Sequence, residues 1–322
     1  MKMRLLLIAL CLSVISCNND IKRKGIFVDT DCGVDDVMAI ELLLSQKNIN
    51  ITGISCVHGL TDVNDGAKIM RCLLNKYGHK KTPVFIGANQ GIIPSASFPD
   101  ELKKHTTSTG FKLLGDNCNG KIEHFDADEI LTIIEKSTDT ILALGPLTNI
   151  NNLIKSGLNR SVPTVIMGGA INVEGNLNDS EGFHTDNIYA EWNFFCDALA
   201  AKNSVEYLDN IVLVPLDATN SVKIDSTYLN EKNWRDNSTS ISFKILQEIA
   251  EWIQRGQYYA WDPLAAAFII DSGVLEIDST NVEIKLNEKE AGRIIHNLNG
   301  EKIIYGKYGN KKEFDDLLLS NL

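Results

Sequence analysis

The sequence predicts an α/β fold: a Rossmann-like, mostly parallel sheet with helices on both faces, forming a single domain. Short, unbroken apolar runs alternate with segments of helical period, the pattern of βαβ units whose strands are buried on both sides. The turns that close several of these runs carry carboxylates and amides, and an open parallel sheet gathers its ligands at such turns. No Pro-rich linker, internal repeat or break in composition divides the chain.

The elements follow in order. Gly25-Ile26-Phe27-Val28 reads as the first strand, followed at once by acids and Gly33. Val34 to Leu44 is helical, with Val37, Ile40, Leu43 and Leu44 on one side. Ile49 to Cys56 is strand-like, and Asp65 to Tyr77 is helical through Ala67, Ile69, Met70, Leu73 and Leu74. Val84-Phe85-Ile86 is a buried strand, Asp128 to Lys136 a helix, Thr140 to Leu144 a strand and Leu147 to Lys155 a helix. Val162 to Met167 is a strand closed by Gly168-Gly169, and Ile211 to Leu216 is another. Helical patterns return over Ile241 to Gln254 and Asp262 to Ile270, while 89–125 and 171–190 read as long loops.

Residues 1–16 are an export leader. Lys2 and Arg4 precede an apolar run from Leu5 to Ile15, too short to cross a hydrocarbon core of ~30 Å. Val14-Ile15-Ser16-Cys17 resembles a lipobox, so Cys17 is expected to carry lipid and 17–24 to act as a tether for a domain spanning 25–322. The expected location is periplasmic or cell-surface, with membrane contact through the lipid alone. Without the leader 29 bases face 42 acids, a charge of −13. That excess argues against nucleic acid and anionic lipid as partners, since both need a positive field. Cys32, Cys56, Cys72, Cys118 and Cys196 are dispersed and form no C-x-x-C or Cys/His cluster. Neither a zinc site nor a disulfide framework is expected, and most of these cysteines are expected to be small buried apolar residues.

Four strand-to-loop junctions carry candidate chemistry. The first, Asp29-Thr30-Asp31-Cys32-Gly33-Val34-Asp35-Asp36, sets four carboxylates directly behind a strand. One or two acids would suit a helix N-terminus. Four repel one another unless a positive charge sits among them, and a hard cation held by oxygen is the simplest solution. Gly33 is expected to let the backbone turn sharply there. At the second, Leu144-Gly145-Pro146 could leave the Leu144 carbonyl as a neutral ligand, although Gly-Pro alone is a common turn. The third runs from Gly168-Gly169 through Asn176 to Glu191-Trp192-Asn193, an acceptor and an amide suited to sugar hydroxyls, or simply a helix cap at Asn193. At the fourth, Trp261-Asp262-Pro263, Asp262 alone would be read as an N-cap.

Taken together, DTDCGVDD, ALGPLTN, the GG…GN…EWN series and WDPLAAA resemble, in this order, the nucleoside hydrolases of the inosine–uridine-preferring superfamily. The resemblance covers about residues 25–275 and implies a calcium-dependent hydrolase that cleaves a ribonucleoside to free base and ribose. It implies that Asp31, Asp36, Asp262 and the main-chain oxygen of Leu144 hold Ca²⁺, and that Asp31 takes the proton of the attacking water. It implies that Asp35, Asn176, Glu191, Asn193 and Asp262 hold the sugar, that Asp29 supports the site from behind, and that the chain forms a homodimer or tetramer.

The chain departs from the family pattern at several positions. Cys32 stands where the motif usually has Pro, Leu60 replaces a usual Asn or Asp, and Trp261 replaces a His. Trp261 is expected to stack on the base and assist its protonation, as in the purine-preferring branch, with Tyr258, Tyr259 and Phe98 as further aromatic candidates. His184 and His105 are candidate leaving-group acids, and His58 lies near Leu60. Two other functions fit parts of the sequence. The strand followed by Asp29 and Asp31 also suits a magnesium-dependent haloacid-dehalogenase-type phosphatase. Leu60 and the missing histidine suit a non-catalytic nucleoside- or ribose-binding lipoprotein.

Overall fold

The computed structural model describes residues 23–93, 96–180, 182–230 and 239–321. The leader, Cys17 and residues 18–22 of the tether lie outside these. The strands are β1 (Lys24–Thr30), β2 (Ile49–Cys56), β3 (Val84–Ile86), β4 (Ile122–His124), β5 (Thr140–Ala143), β6 (Thr164–Met167), β7 (Ile211–Val214), β8 (Leu275–Ile284), β9 (Ile294–His296) and β10 (Glu301–Gly309). They form one sheet in the order β4-β3-β2-β1-β5-β6-β7-β10-β8-β9. Pairings from β4 through to β10 are parallel, and β8 and β9 are added antiparallel at the far end.

Strand β1 lies mid-sheet between β2 and β5, and Ile26, Phe27 and Val28 are fully buried. Strand period splits them: Ile26 and Val28 enter the apolar cluster on one face, Phe27 the cluster on the other. That is why this strand reads as an unbroken apolar run. The first face is covered by α1 (Val34–Leu44) and α2 (Val63–Lys76), the second by α4 (Ala127–Ser137), α5 (Thr148–Lys155) and α7 (Ala198–Tyr207). The strand order reverses between β1 and β5, so the crevice beyond their carboxyl ends is where such a sheet admits a ligand. Both ends carry residues singled out from the sequence.

Three expectations need correction. The stretch 89–125 is not a long loop: it contains α3 (Asp100–Leu114) and the edge strand β4. Only Thr106, Thr109 and Gly110 are buried on α3, so it lacks the apolar stripe that reveals a helix in sequence. The helical pattern over Ile241 to Gln254 is two helices, α10 (Ile241–Glu248) and α11 (Ala250–Gln254), parted at Ile249. They follow α6 (Trp192–Cys196), α8 (Leu216–Thr219) and α9 (Thr227–Asn230), and precede α12 (Trp261–Ile270) and α13 (Lys311–Asn321).

The third correction concerns cysteine. Cys72 on α2 and Cys118, in the turn after α3, form a disulfide across 46 residues of sequence. Cys32, Cys56 and Cys196 are free and buried, as expected. Beside the bridge Arg71 is 1% exposed; its guanidinium faces no carboxylate among the described residues and donates to the carbonyls of Thr82 (2.6 Å) and His79 (2.7 Å). The bridge therefore ties the α3 segment to a rigid anchor. Closing a loop of this length removes about 4 kcal/mol of unfolded-state entropy. Cys72→Ser/Cys118→Ser is expected to lose stability on that scale in denaturant titration, and excess reductant should bring the native protein down to the same midpoint.

Candidate active site

The junction after β1 is built by short local bonds. The Thr30 hydroxyl donates to Asp36 Oδ1, and the Gly33 N–H donates to Asp36 Oδ2 at 2.8 Å. The Cys32 N–H returns to Thr30 Oγ1 at 3.0 Å. Across the crevice the Leu60 N–H donates to Asp31 Oδ2 at 2.9 Å and the Thr61 hydroxyl to the Asp31 carbonyl at 2.9 Å. The sharp turn falls on Cys32, at φ +64°, and not on Gly33, whose φ is −62°. A proline is fixed near −65° and could not adopt the Cys32 conformation, so residue 32 takes a backbone shape here that the usual motif residue forbids. Gly33 is needed for space: a Cβ there would lie 2.7 Å from Asp35 Oδ1, Asp36 Oδ2 and Leu60 Cδ1.

Asp35 and Asp36 sit in the first turn of α1 and Asp262 in the first turn of α12, and these two helices pack on one another. Asp262 is not an N-cap, because Ala260 holds that place. Carboxylate oxygens of Asp35, Asp36 and Asp262 all come within 4.8 Å of one another, and all three residues are buried. Asp31 borders this trio against Asp36. The close group thus contains Asp35, which the resemblance assigned to the sugar, and has Asp31 at its edge.

Burial raises the affinity of these acids for protons, and their mutual repulsion adds to it. Asp35 is pushed up to about 7, by burial first and then by Asp36. Burial, followed by Asp36 and Asp35, raises Asp31 and Asp262 well above the usual carboxylate range. Asp36 is raised by burial against the bonds from its neighbours. Among the described residues no lysine or arginine is a leading cause of any of these four shifts. Crowded, buried, oxygen-only donors with no cation opposite them among the described residues fit a hard divalent metal.

Asp29 has a different setting. It accepts from the Ser55 hydroxyl and from Asn149 Nδ2 (2.8 Å), its Oδ2 has no partner among the described residues, and burial pushes it up to about 7. An acid held this way behind the loop is poorly placed to be the nucleophile of a phosphatase.

The other predicted sugar ligands are mostly engaged. Glu191 caps α6, its carboxylate accepting from Asn193 N–H (2.9 Å), Gly169 N–H (3.0 Å) and Phe194 N–H (3.2 Å). The cap is therefore Glu191, where the sequence pointed to Asn193. Asn193 Nδ2 donates to the Leu144 carbonyl at 2.9 Å and the Met167 carbonyl at 3.3 Å, which brings Asn193 and Leu144 to one spot. Asn176 Oδ1 accepts from the Trp192 N–H at 3.2 Å. Trp261 is half-buried, with Tyr258 edge-on at 5.2 Å between ring centroids and Tyr259 tilted at 5.8 Å.

Leu60 contacts a separate apolar cluster of Phe98, Leu177, Ala190, Trp192 and Cys196, in which Phe98 stacks on Trp192 at 4.6 Å. Phe98 is thus a partner of Trp192. His105 and His184 are both exposed, and His105 packs on Trp252. Sequence reasoning left His58 without a role. Its Nε2 bonds Thr148 Oγ1 at 2.8 Å, and Thr148 in turn donates to Asp197 Oδ2 at 2.7 Å. Burial lowers the His58 pKa to about 4.

Comparison with known proteins agrees with this geometry. The model of the family described as inosine-uridine preferring nucleoside hydrolase matches residues 26–314. The inosine-uridine preferring nucleoside hydrolase of Leishmania major is 25% identical over 279 residues, covering 82% of this chain and 84% of its own. Uridine nucleosidase 1 of Arabidopsis thaliana is 25% identical over 279 residues, 79% of this chain and 76% of its own. The crystal structure of the inosine-uridine preferring nucleoside hydrolase from Bacillus anthracis superposes with a TM-score of 0.78 at 23% identity, covering 93% of this chain and all of the other. With the fold, the acid loop and a family match over most of its length in agreement, the chain belongs to the inosine-uridine preferring nucleoside hydrolases.

Proposed function

We propose that this nucleoside hydrolase acts on ribonucleosides with Ca²⁺ as its metal, releasing free base and ribose, and that it favours purine bases. The observation that carries the reading is the convergence of Asp35, Asp36 and Asp262 on one buried point beside Asp31, with no cation among the described residues to balance them. Asp31, Asp36, Asp262 and the Leu144 carbonyl would hold the ion. Bound there, Ca²⁺ would supply positive charge that acidifies a water and grips a vicinal diol.

The chain's own groups do the rest. Asp31, oriented by the Leu60 N–H, accepts a proton from the attacking water. Asp35 and Asp262 accept hydrogen bonds from the sugar hydroxyls, and Asn176, Glu191 and Asn193 close the far side of the sugar. The buried acids also stabilise the positive charge that the sugar ring develops as the glycosidic bond breaks. Trp261 offers its electron-rich ring to a base that is becoming protonated. His58 is not the proton donor, because a ring whose pKa lies near 4 is neutral at physiological pH. The leader and Cys17 support an exported, lipid-anchored protein, and the Cys72–Cys118 bridge suits an oxidising compartment.

A panel of ribonucleosides assayed for reducing sugar, with and without chelator, tests the reading. Chelation should abolish release and added Ca²⁺ restore it. Persistent calorimetric binding of inosine without any free base would instead establish a binding protein. Asp31→Asn is expected to cut turnover by about 10²–10⁴-fold, the usual worth of a general base, with an unchanged circular dichroism spectrum; near-native turnover would count against the assignment. Trp261→Ala should lower kcat/KM for purine nucleosides more than for pyrimidine nucleosides, and equal losses would remove the stacking argument.

The raised carboxylates set a pH dependence for the metal-free protein. Asp29 and Asp35 hold protons up to about pH 7 when folded but only to the usual carboxylate range when unfolded. The folded state therefore binds more protons between about pH 4 and 7, and stability falls as pH rises through that window. Melting of chelated protein should drop by about 5 °C or more from pH 5 to pH 7.5. Millimolar Ca²⁺ should raise the melting temperature more at pH 7.5 than at pH 5; an equal effect at both would show that the ion does not replace those protons.

A further inference from the structure

The hydroxyl of Tyr258 is buried and has no hydrogen-bond partner among the described residues. Tyr258 is 3% exposed, so water does not solvate it from outside. Nor is it on a loose segment: its carbonyl accepts from the Ile224 N–H at 3.0 Å, and the Ala260 N–H bonds the Val222 carbonyl at 2.9 Å. An unmet buried hydroxyl is costly, so such groups call for an explanation.

Its surroundings supply one. The ring stands edge-on to Trp261, and the charges that act on the hydroxyl are those of Asp35, Asp262 and Asp36. Burial, with these acids, keeps the phenol protonated, so it is an unmet donor beside Trp261, the residue that precedes Asp262 in the chain. A sugar hydroxyl brings one proton and two lone pairs. Asp35 and Asp262 can take the proton and a cation gripping the diol can take one lone pair, but carboxylates offer nothing to the second lone pair. Asn193 cannot be the donor to it, since Nδ2 is committed to the carbonyls of Leu144 and Met167, and Asn176 is placed on the far side of the sugar.

We propose that the Tyr258 hydroxyl is a further substrate-binding group, donating a hydrogen bond to an oxygen of the ribosyl 2′,3′-diol held by Asp35 and Asp262. The inference rests on the nucleoside-hydrolase reading of the same site. It makes Tyr258 a determinant of ribose over deoxyribose, since a sugar lacking the partner oxygen would leave the phenol unmet.

Tyr258→Phe deletes the one atom and keeps the ring against Trp261. Its kcat/KM for ribonucleosides is expected to fall about tenfold. The melting temperature of the metal-free variant should be unchanged or higher, because the lost hydroxyl had no partner; a marked drop would mean a structural role and overturn the proposal. The decisive comparison is competitive inhibition by ribono-1,4-lactone and its 2-deoxy and 3-deoxy forms, with Ca²⁺ present. The substitution should weaken the parent lactone about tenfold and leave one deoxy form unaffected. Equal weakening of all three, or no weakening of any, refutes the contact. If the native protein itself releases no base from any nucleoside, the hydrolase reading fails instead, and the two failures are told apart.

Discussion

The whole site depends on one unfavourable interaction: several carboxylates held together in a buried crevice. Two ionised acids 4.8 Å apart repel by on the order of 3–4 kcal/mol at an effective protein dielectric of about 20, and desolvation adds to this. Protons or a cation must offset that cost, and the shifts of Asp31, Asp35, Asp36 and Asp262 show the chain leaning on protons when no ion is present. Proton and metal therefore compete for the same oxygens. A site of this kind is idle when acidic and charged when neutral, which suits an ion that must be gripped firmly at working pH.

The fold contributes by aiming positive ends of peptide dipoles at the acids. Asp35 and Asp36 open α1, Asp262 opens α12, and the packing of α1 on α12 brings both N-termini to one place. The rest of α1 is anchored from behind: Glu41, fully buried, accepts from the N–H groups of Ile241 (2.8 Å) and Ser242 (2.5 Å), and from the Tyr77 hydroxyl. Helix position is thus fixed at both ends, and the carboxylates cannot relax apart. Rigidity is what turns repulsion into a ligand-binding geometry.

Much of this was legible in the chain. DTDCGVDD stood out because four acids follow an apolar strand, and α1 and β2 have the bounds their periodicity implies. What the sequence hid has local reasons. Helix α3 buries threonines and a glycine where an apolar stripe would be sought. Strands β8 and β10 pair antiparallel towards the β9 end of the sheet with Ile277, Ile304 and Tyr308 exposed, so no buried run announces them. Cys72 and Cys118 have no spacing signature, since a disulfide is set by three-dimensional proximity. Tyr258 was noticed only for its ring; its significance lies in a missing partner, which no one-dimensional pattern records.

The departure at Leu60 can now be weighed in the same terms. A polar side chain is lost there, yet the bond that orients Asp31 comes from the Leu60 backbone N–H and does not depend on the side chain. What must be preserved is the path of residues 57–61, and His58 preserves it. Asp197 Oδ2 already accepts from the Ile92 N–H, and the Thr148 hydroxyl spends its proton on the same oxygen. Thr148 Oγ1 must then accept from His58, which assigns the histidine proton to Nε2 and leaves the ring neutral, as its lowered pKa requires. The loop is pinned by a chain of hydrogen bonds that runs from a neutral imidazole through Thr148 to the Asp197 carboxylate. A histidinium there would add a positive charge beside Asp197; a neutral ring holds the 57–61 loop, and with it the Leu60 N–H on Asp31, without doing so.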